Sequence, residues 1–318
     1  MTITAETRVA ASAPPLAPAR PRRVWRDVIA LIRPHQWVKN LLVVPLALLD
    51  VSVIAPGLAV RLAWAVLLFT LASTVVYVCN DIADRHRDRN HPTKRHRPIA
   101  AGRISVPVAS AIAALLVTLL VAAAVLGPVP AAVCWPVAVY LALNLVYSRR
   151  LKHLPLVDVF VVAFGFVLRV VQGYLVVDAP VGPWLLIAVL AVCLLFLLGK
   201  RRHEVTVGGA AHRPSLRGYS TQYLDHLAVL CAVLAVVSFF LHLQQRLDGP
   251  YLTLALLGSA PFALFALARY LQVLLVDGDG GDPTRLLLHD PALRVNSLLW
   301  GALLAGTLAA TQLPLILS

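Results

Sequence analysis

The most informative residues of the chain are acidic and basic side chains between residues 80 and 102, a segment flanked on both sides by apolar sequence. Asp81, Asp84 and Asp88 are separated by three and four positions, and Asn80 precedes Asp84 by four. Residues at these spacings share one face of a helix. Clustered carboxylates offer the hard oxygen ligands that Mg²⁺ takes, often while it also bridges to substrate phosphates. The segment therefore predicts a magnesium site formed by Asp81, Asp84 and Asp88.

Three cations follow the acidic cluster, because Lys94, Arg95 and Arg97 stand between Pro92 and Pro98. Lysine and arginine side chains both bind phosphate oxygens, arginine in a two-pronged manner and lysine as a point charge. Cations beside a carboxylate–Mg²⁺ cluster therefore suit a polyphosphate. We predict that this part of the chain binds the phosphates of a substrate.

The composition is that of a polytopic membrane protein. The 318 residues are 59% hydrophobic and 14% charged, whereas soluble domains carry about 25% charged residues. A helix needs roughly 20 apolar residues to cross the hydrocarbon core. None of the apolar stretches alternates as barrel strands do, so we predict an all-α protein with nine transmembrane helices. The candidate spans are residues 40–57, 59–79, 104–127, 129–147, 154–177, 183–199, 222–244, 250–276 and 294–317.

Basic residues determine the predicted orientation. With the N-terminus in the cytoplasm, the basic clusters in 85–103, 149–152 and 200–217 all fall on the cytoplasmic side, as the positive-inside rule requires. We expect a multi-pass protein of the plasma membrane whose polar loops line a cytoplasm-facing cavity. The same bias, with anionic lipid, explains the net charge of +13 without a nucleic-acid partner. Residues 1–23 are predicted to form a disordered cytoplasmic tail, and residues 24–318 a single transmembrane domain.

A second charged group, Lys200, Arg201 and Glu204, directly follows the predicted sixth span. Lys200 and Glu204 have the i, i+4 spacing of an ion pair at a helix end, which would have only a structural role. Alternatively, Lys200 and Arg201 bind an anion, and Glu204 orients them or helps to hold a metal. Further on, Arg213, Arg217 and Tyr219 belong either to a flexible cover over the site or to a plain solvated loop.

Four more candidates stand at predicted membrane interfaces. Tyr147 ends the fourth span and Lys152 begins the fifth, and either ordinary interfacial anchoring or substrate binding explains them. Lys39 and Asn40 stand at the start of the first span, where the phosphate of a lipid would lie. They are candidates for binding a lipid phosphate, and snorkelling is the alternative for Lys39.

The predicted fifth span contains two ionisable residues, Asp158 and Arg169. Such residues are costly at membrane depth and usually face a partner or a wet cavity. The two are eleven positions apart, or about 16 Å along a helix axis, which is too far for direct pairing. We expect Asp158 to serve the cavity and Arg169 to be structural.

Together these motifs resemble the UbiA superfamily of intramembrane prenyltransferases. The acidic pattern from Asn80 to Asp88 is similar to the first Asp-rich motif of that superfamily, which implies a nine-helix bundle around a cytoplasm-facing polar cavity. Members typically carry a second Asp-rich motif, DxxxD, after the sixth span, where this chain has KRRHE at 200–204. Four segments are similar to an actinobacterial branch that transfers phosphoribose: RPxQWxKN (33–40), HPTKRxRPIAAG (91–102), YSxxLK (147–152) and GKRxxE (199–204).

The resemblance to that branch implies an Mg²⁺-dependent pentosyltransferase. It would transfer 5-phosphoribose from 5-phosphoribosyl 1-diphosphate (PRPP) to a polyprenyl (decaprenyl) monophosphate, release pyrophosphate, and supply a precursor of cell-wall arabinan. Asp81 and Asp84 would be catalytic through the metal, and Lys39 and Asn40 would bind the lipid phosphate. The residues expected to bind PRPP are Asn80, Asp88, Lys94, Arg95, Arg97, Tyr147, Lys152, Lys200, Arg201 and Glu204.

Two other functions are compatible with the sequence. A UbiA-type enzyme that prenylates an aromatic acceptor would be expected to have the second Asp pair that is missing here. A transporter of a phosphorylated solute would have a similar basic cavity, but transporters usually show repeated halves and charged residues near the membrane midplane. Faces rich in small residues also permit a homo-oligomer.

Overall fold

The computed structural model describes residues 24–44, 57–91, 93–207, 214–278, 281, 286 and 289–317. Within this part of the chain every regular element is an α-helix or a short 3₁₀ helix. The α-helices are α1 (Val24–Ile32), α2 (Leu58–Ala83), α3 (Arg85–Arg89), α4 (Val106–Val125), α5 (Trp135–Arg149), α6 (Val157–Val176), α7 (Pro183–Thr206), α8 (Thr221–Arg246), α9 (Gly249–Leu275) and α10 (Pro291–Leu317). The all-α prediction is thereby confirmed.

Seven helices in the described residues are long and apolar enough to cross a membrane: α2 and α4 to α9. They correspond to the second to eighth predicted spans. The last predicted span, 294–317, falls within α10. The first, 40–57, lies mostly outside the described residues, and its start belongs to a 3₁₀ helix over Pro34–Leu42. The predicted tail over 1–23 also lies outside them.

Two spans, α2 and α7, run four or more residues past their predicted ends, and both extensions carry charged residues. Helix α2 runs four residues past the predicted end at 79, through Asn80 and Asp81 to Ala83. Helix α7 continues past residue 199 to Thr206 and therefore includes Lys200. The polar residues extend the helices because their backbone bonds do not depend on the apolarity of the side chains. Both predicted charged motifs are consequently held on rigid helix ends.

Helices α2 and α6 form the centre of the bundle. Of the most apolar window in each, 61% of the residues are buried, against 17% for α4, α5 and α9. Helix α2 contacts α4, α5 and α6, and the remaining helices then pack in chain order from α6 to α10. One apolar cluster joins α2, α5 and α6 around Phe69, Tyr140 and Leu168. A second joins α6 to α9 around Leu195 and Tyr270, so α6 belongs to both.

Candidate active site

A polar cavity of about 410 Å³ lies where the C-terminal ends of α2, α5 and α7 meet the start of α6. Six lysine and arginine residues and three aspartates line it, so its walls carry an excess of positive charge. A surface of this kind attracts anionic ligands. The lining residues are Arg33, Tyr77, Asn80, Asp81, Asp84, Arg87, Asp88, His91, Lys94, Arg97, Tyr147, Ser148, Lys152, His153 and Lys200.

Two arginines share the Asp81 carboxylate, which is only 2% exposed. Oδ1 of Asp81 accepts hydrogen bonds from Arg33 Nη2 at 2.5 Å and from Arg97 Nη1 at 3.0 Å. Arg97 Nη1 also donates to Asp88 Oδ2 at 2.7 Å. Arg97 therefore bridges two of the three predicted metal-binding carboxylates, and Arg33 brings the segment before the first predicted span into the cavity.

The third carboxylate, Asp84, contacts the opposite wall. Lys152 Nζ donates to Asp84 Oδ1 at 2.8 Å, and Ser148 Oγ donates to Asn80 Oδ1 at 2.5 Å. These contacts join the end of α2 to the last turn of α5, which contains Ser148, and to the connection between α5 and α6, which contains Lys152. Tyr147 also lines the cavity, so the structure places Tyr147 and Lys152 beside the acidic motif.

The acidic motif is not one continuous helix face as predicted. Helix α2 ends at Ala83, and Asp84 lies at the junction with α3, which contains Asp88. The described residues also contain no group of three Asp, Glu, His or Cys side chains close enough to share one metal ion. Even so, Asp81 Oδ2 is buried and accepts no hydrogen bond from the described residues. An orphaned carboxylate oxygen of this kind fits a divalent cation, which takes oxygen ligands.

The charged group on α7 divides into a cavity residue and a buried ion pair. Lys200 lines the cavity and is exposed. Arg201 is only 3% exposed, and it donates to Asp158 Oδ2 at 2.9 Å and to Glu204 Oε2 at 2.7 Å. The described partner of Glu204 is thus Arg201 and not Lys200. Neither Arg201 nor Glu204 is among the residues that line the cavity, so the structure adds no support for their predicted role in PRPP binding, which stays a prediction.

Arg95 also lies outside the lining. It is exposed, and its Nε donates to His96 Nε2 at 3.3 Å. Lys94 and Arg97, on either side of it, do line the cavity. Lys94 and Arg95 belong to a 3₁₀ turn over Lys94–His96, and Arg97 directly follows it. Adjacent residues of such a turn point in different directions.

Lys39 and Asn40, the predicted lipid-phosphate residues, both contact other side chains of the protein. Lys39 Nζ donates to Gln36 Oε1 at 2.5 Å. Asn40 is only 1% exposed, and its Nδ2 donates to Ser73 Oγ at 3.3 Å. Its Oδ1 accepts from Arg169 Nε at 2.9 Å. Asn40 therefore holds the 3₁₀ helix against both α2 and α6.

The structural role that we predicted for Arg169 agrees with its surroundings. The guanidinium is 5% exposed and donates to the Gly165 carbonyl oxygen at 2.7 Å. It lies 4.8 to 5.2 Å from the ring centres of Phe69, Tyr140 and Phe166. It forms no ion pair with the described residues, so the aromatic faces and hydrogen bonds stabilise its charge.

Replacing Asn40 by alanine is expected to lower the free energy of unfolding by about 2 kcal/mol, because donors on Arg169 lose a buried acceptor. Thermal unfolding in detergent measures the loss. Lys39→Ala is the control. Lys39 is the preceding residue and is only half-buried, so its replacement should change the free energy of unfolding by less than about 0.5 kcal/mol. If Asn40 bound a lipid phosphate instead, the KM for the lipid would rise while the melting temperature stayed unchanged.

Sequence reasoning missed six lining residues. Arg33, His91, Ser148 and His153 lie within or directly beside the segments that carried the resemblance, so their positions were flagged but not assigned. Tyr77 stands one turn before Asp81, and this spacing could have revealed it. The sixth is Arg87, for which the sequence offered no distinguishing signal among its basic neighbours.

The family model for UbiA prenyltransferases matches residues 42–275. The chain is 36% identical over 300 residues to decaprenyl-phosphate phosphoribosyltransferase of Mycobacterium tuberculosis, which covers 91% of this chain and 96% of that protein. It is 34% identical over 291 residues to decaprenyl-phosphate phosphoribosyltransferase of Corynebacterium glutamicum, over 88% of this chain and 86% of that protein.

Solved structures show the same fold. A UbiA homologue from Archaeoglobus fulgidus, bound to GPP and Mg²⁺, matches with a TM-score of 0.66 over 89% of this chain and 98% of that chain. The sequence identity is 18%, so this likeness establishes the fold alone. Since the family model and the curated relatives cover most of the sequence, the chain belongs to the UbiA prenyltransferase family.

Proposed function

We propose that this membrane protein transfers 5-phosphoribose from PRPP to a polyprenyl monophosphate such as decaprenyl phosphate, with release of pyrophosphate. The observation that carries the proposal is the excess of lysine and arginine over aspartate around one cavity. PRPP bears a diphosphate at C1 and a separate phosphate at C5, so it needs more cations than a prenyl diphosphate does. The curated relatives of matching length have names that agree with this chemistry.

Asp81 and Asp84 are the residues that would hold Mg²⁺, with Asp88 beside them. The orphaned Asp81 Oδ2 supports this assignment. When bound, the metal would act as a Lewis acid toward the departing pyrophosphate. Arg33 and Arg97 now contact Asp81 from within the same cavity, so both guanidinium groups are within reach of a phosphate that enters between them.

Lys200 supports phosphoribose rather than a prenyl group as the transferred unit. It lines the cavity at the position where typical family members have acidic residues, and Lys152 and Lys94 line it as well. A second carboxylate pair would hold a diphosphate through a metal ion, which a protonated lysine cannot ligate. Lysine instead binds phosphate oxygens directly. We assign these lysines to the phosphates of PRPP.

The acceptor reacts as a nucleophile without further activation. One oxygen of the lipid phosphate forms a bond to C1, and the bond from C1 to the pyrophosphate oxygen breaks. A phosphate monoester is already anionic at neutral pH, so no strong general base is needed. The cavity residues contribute by orientation and by stabilising the charge that develops on the leaving group.

The proposal includes a location. The protein would reside in the plasma membrane as a nine-helix bundle, with the N-terminus and the cavity on the cytoplasmic side. The positive-inside distribution supports this orientation, and PRPP is a water-soluble polyanion that would approach from the aqueous side. The product would serve as a precursor of cell-wall arabinan. A homo-oligomer remains part of the proposal.

The purified protein is expected to join PRPP to a C50 polyprenyl phosphate in detergent when Mg²⁺ is present. Mass spectrometry of the extracted lipid should show the mass of the phosphoribosylated product, and pyrophosphate should appear in equal amount. Replacing Mg²⁺ by EDTA should abolish both signals. A prenylated aromatic product from a prenyl diphosphate, with no phosphoribosyl lipid, would instead establish the conventional family chemistry.

A further inference from the structure

The connection into α6 contains a strained backbone turn at Leu156. Its φ of 65° and ψ of −52° are those of a three-residue turn, and Val157 N donates to the Pro155 carbonyl oxygen at 2.8 Å to close it. Turns of this type are rare because a side chain at the central position is crowded. Strain of this kind persists only where the surrounding structure enforces it, and it concentrates at functional sites. The turn follows Lys152 and His153, which line the cavity.

Tyr219 enforces the strained turn. Leu156 N donates to Tyr219 Oη at 2.6 Å, and Tyr219 Oη donates in turn to Asp158 Oδ1 at 2.7 Å. Gly218 lies so close to Pro155 that an added Cβ would stand 2.4 Å from the proline ring. The segment before α8 is therefore docked tightly on the turn. Neither a flexible cover over the site nor a plain solvated loop, the two alternatives for this segment, describes a tyrosine that is 8% exposed.

The Asp158 carboxylate connects this turn to α7. It is fully buried, and besides Tyr219 it accepts from Arg201 Nε at 2.9 Å and from Ser215 Oγ at 3.3 Å. Arg201 is the neighbour of Lys200 in the sequence. One carboxylate thus fixes two backbone segments, and each of them places a lysine on the cavity wall.

We propose that Asp158 and Tyr219 are positioning residues, which hold the Leu156 turn and the α7 end in register and thereby fix Lys152 and Lys200 where substrate phosphates bind. The inference rests on the proposed function, because the two lysines bind substrate only if the chain accepts a phosphorylated sugar. Neither Asp158 nor Tyr219 lines the cavity, so both act through other residues.

The protonation of Tyr219 supports this arrangement. Burial, and then the hydrogen bond to Asp158, raise the pKa of the Tyr219 phenol above its usual value. The hydroxyl therefore stays protonated at neutral pH, and it can donate to Asp158 while it accepts from Leu156.

Tyr219→Phe tests the proposal, because it removes both hydrogen bonds and keeps the ring. The KM for PRPP is expected to rise about tenfold, the usual effect of losing one or two buried hydrogen bonds, while kcat changes less than about threefold. The matched control is Tyr270→Phe. That hydroxyl is also buried but has no hydrogen-bond partner among the described residues, so the control should keep both constants.

A double-mutant cycle separates positioning from a general loss of stability. If Tyr219 acts through the lysines, Tyr219→Phe should change the KM less than about twofold in a Lys152→Ala/Lys200→Ala background, since coupled residues are non-additive. Effects that simply multiply would overturn the proposal. An unchanged KM in Tyr219→Phe alone would overturn it too, given an active wild type. A wild type that makes no phosphoribosyl lipid would reject the proposed function instead.

A smaller change keeps the test usable if Tyr219→Phe yields too little folded protein. Ser215→Ala removes one hydrogen bond to Asp158 and leaves the turn intact. We expect a rise of about threefold in the KM for PRPP. No rise in a correctly folded Ser215→Ala protein would count against the positioning role in the same way.

Discussion

Asp81→Ala is expected to lower the rate of phosphoribosyl transfer by about a thousandfold, the scale of losing one well-placed group that stabilises transition-state charge. Asp81 is the only one of the three motif aspartates with a buried, unbonded oxygen among the described residues. Its other oxygen, Oδ1, accepts hydrogen bonds from two arginines. Its removal would take away the best candidate ligand for Mg²⁺ and the carboxylate that orients Arg33 and Arg97.

The Asp81→Ala protein should nevertheless fold. The side chains of Arg33 and Arg97 are 21% and 27% exposed, so water can solvate them when the carboxylate is gone. Arg97 also keeps Asp88. Asp225→Ala is the matched control, because Asp225 likewise pairs with an arginine, Arg202 at 2.5 Å, but lies outside the cavity lining. Near-normal transfer by Asp81→Ala, measured by mass spectrometry of the lipid product, would mean that the metal assignment is wrong.

The helices and the acidic motif could be predicted because both depend on local pattern. Apolar runs of sufficient length give seven spans in the described residues. Asp81 closely follows an apolar run, so its carboxylate lies at the end of a helix, where it lines the cavity. The neighbouring basic segment contributes Lys94 and Arg97. These groups are close in sequence, so short-range geometry brings them together with little help from the rest of the fold.

Long-range contacts could not be predicted in the same way. Asn40 and Arg169 are 129 positions apart and Arg33 and Asp81 are 48 apart, and no period in the sequence connects such pairs. Asn40 looked like an interfacial residue because it precedes an apolar run. The fold buries Asn40 between α2 and α6. There its amide oxygen accepts a hydrogen bond from the Arg169 guanidinium, which surrounding hydrocarbon could not do.

Neighbouring residues on a helix illustrate a second limit. Successive side chains are about 100° apart around an α-helix, so Lys200 and Arg201 cannot face the same way. The sequence shows consecutive cations directly after the span, but only the packing of α7 against its neighbours decides which of them reaches the cavity. Lys200 faces the cavity, and Arg201 turns inward to the buried carboxylate of Asp158.

Because Lys200 faces the cavity and Arg201 faces Asp158, substitutions at these two adjacent positions should have different consequences. Lys200→Ala should raise the KM for PRPP by about tenfold to a hundredfold, the worth of a hydrogen bond to a charged group, with no change in melting temperature. Arg201→Ala should lower the free energy of unfolding by about 3 to 5 kcal/mol, because it leaves a buried carboxylate without its cation. Asp158 is fully buried and Lys200 is exposed, so the structure gives each variant a different defect.

Steady-state kinetics and thermal unfolding of the two variants in the same detergent provide the measurement, and each variant is the control for the other. A Lys200→Ala protein with wild-type KM would remove this lysine from the substrate site and weaken the case for phosphoribose. A stable Arg201→Ala protein would show that the ion pair between Arg201 and Asp158 does not hold the end of α7 in place. Since the same ion pair is proposed to fix Lys200 on the cavity wall, a wild-type KM in that protein would also count against the positioning role of Asp158.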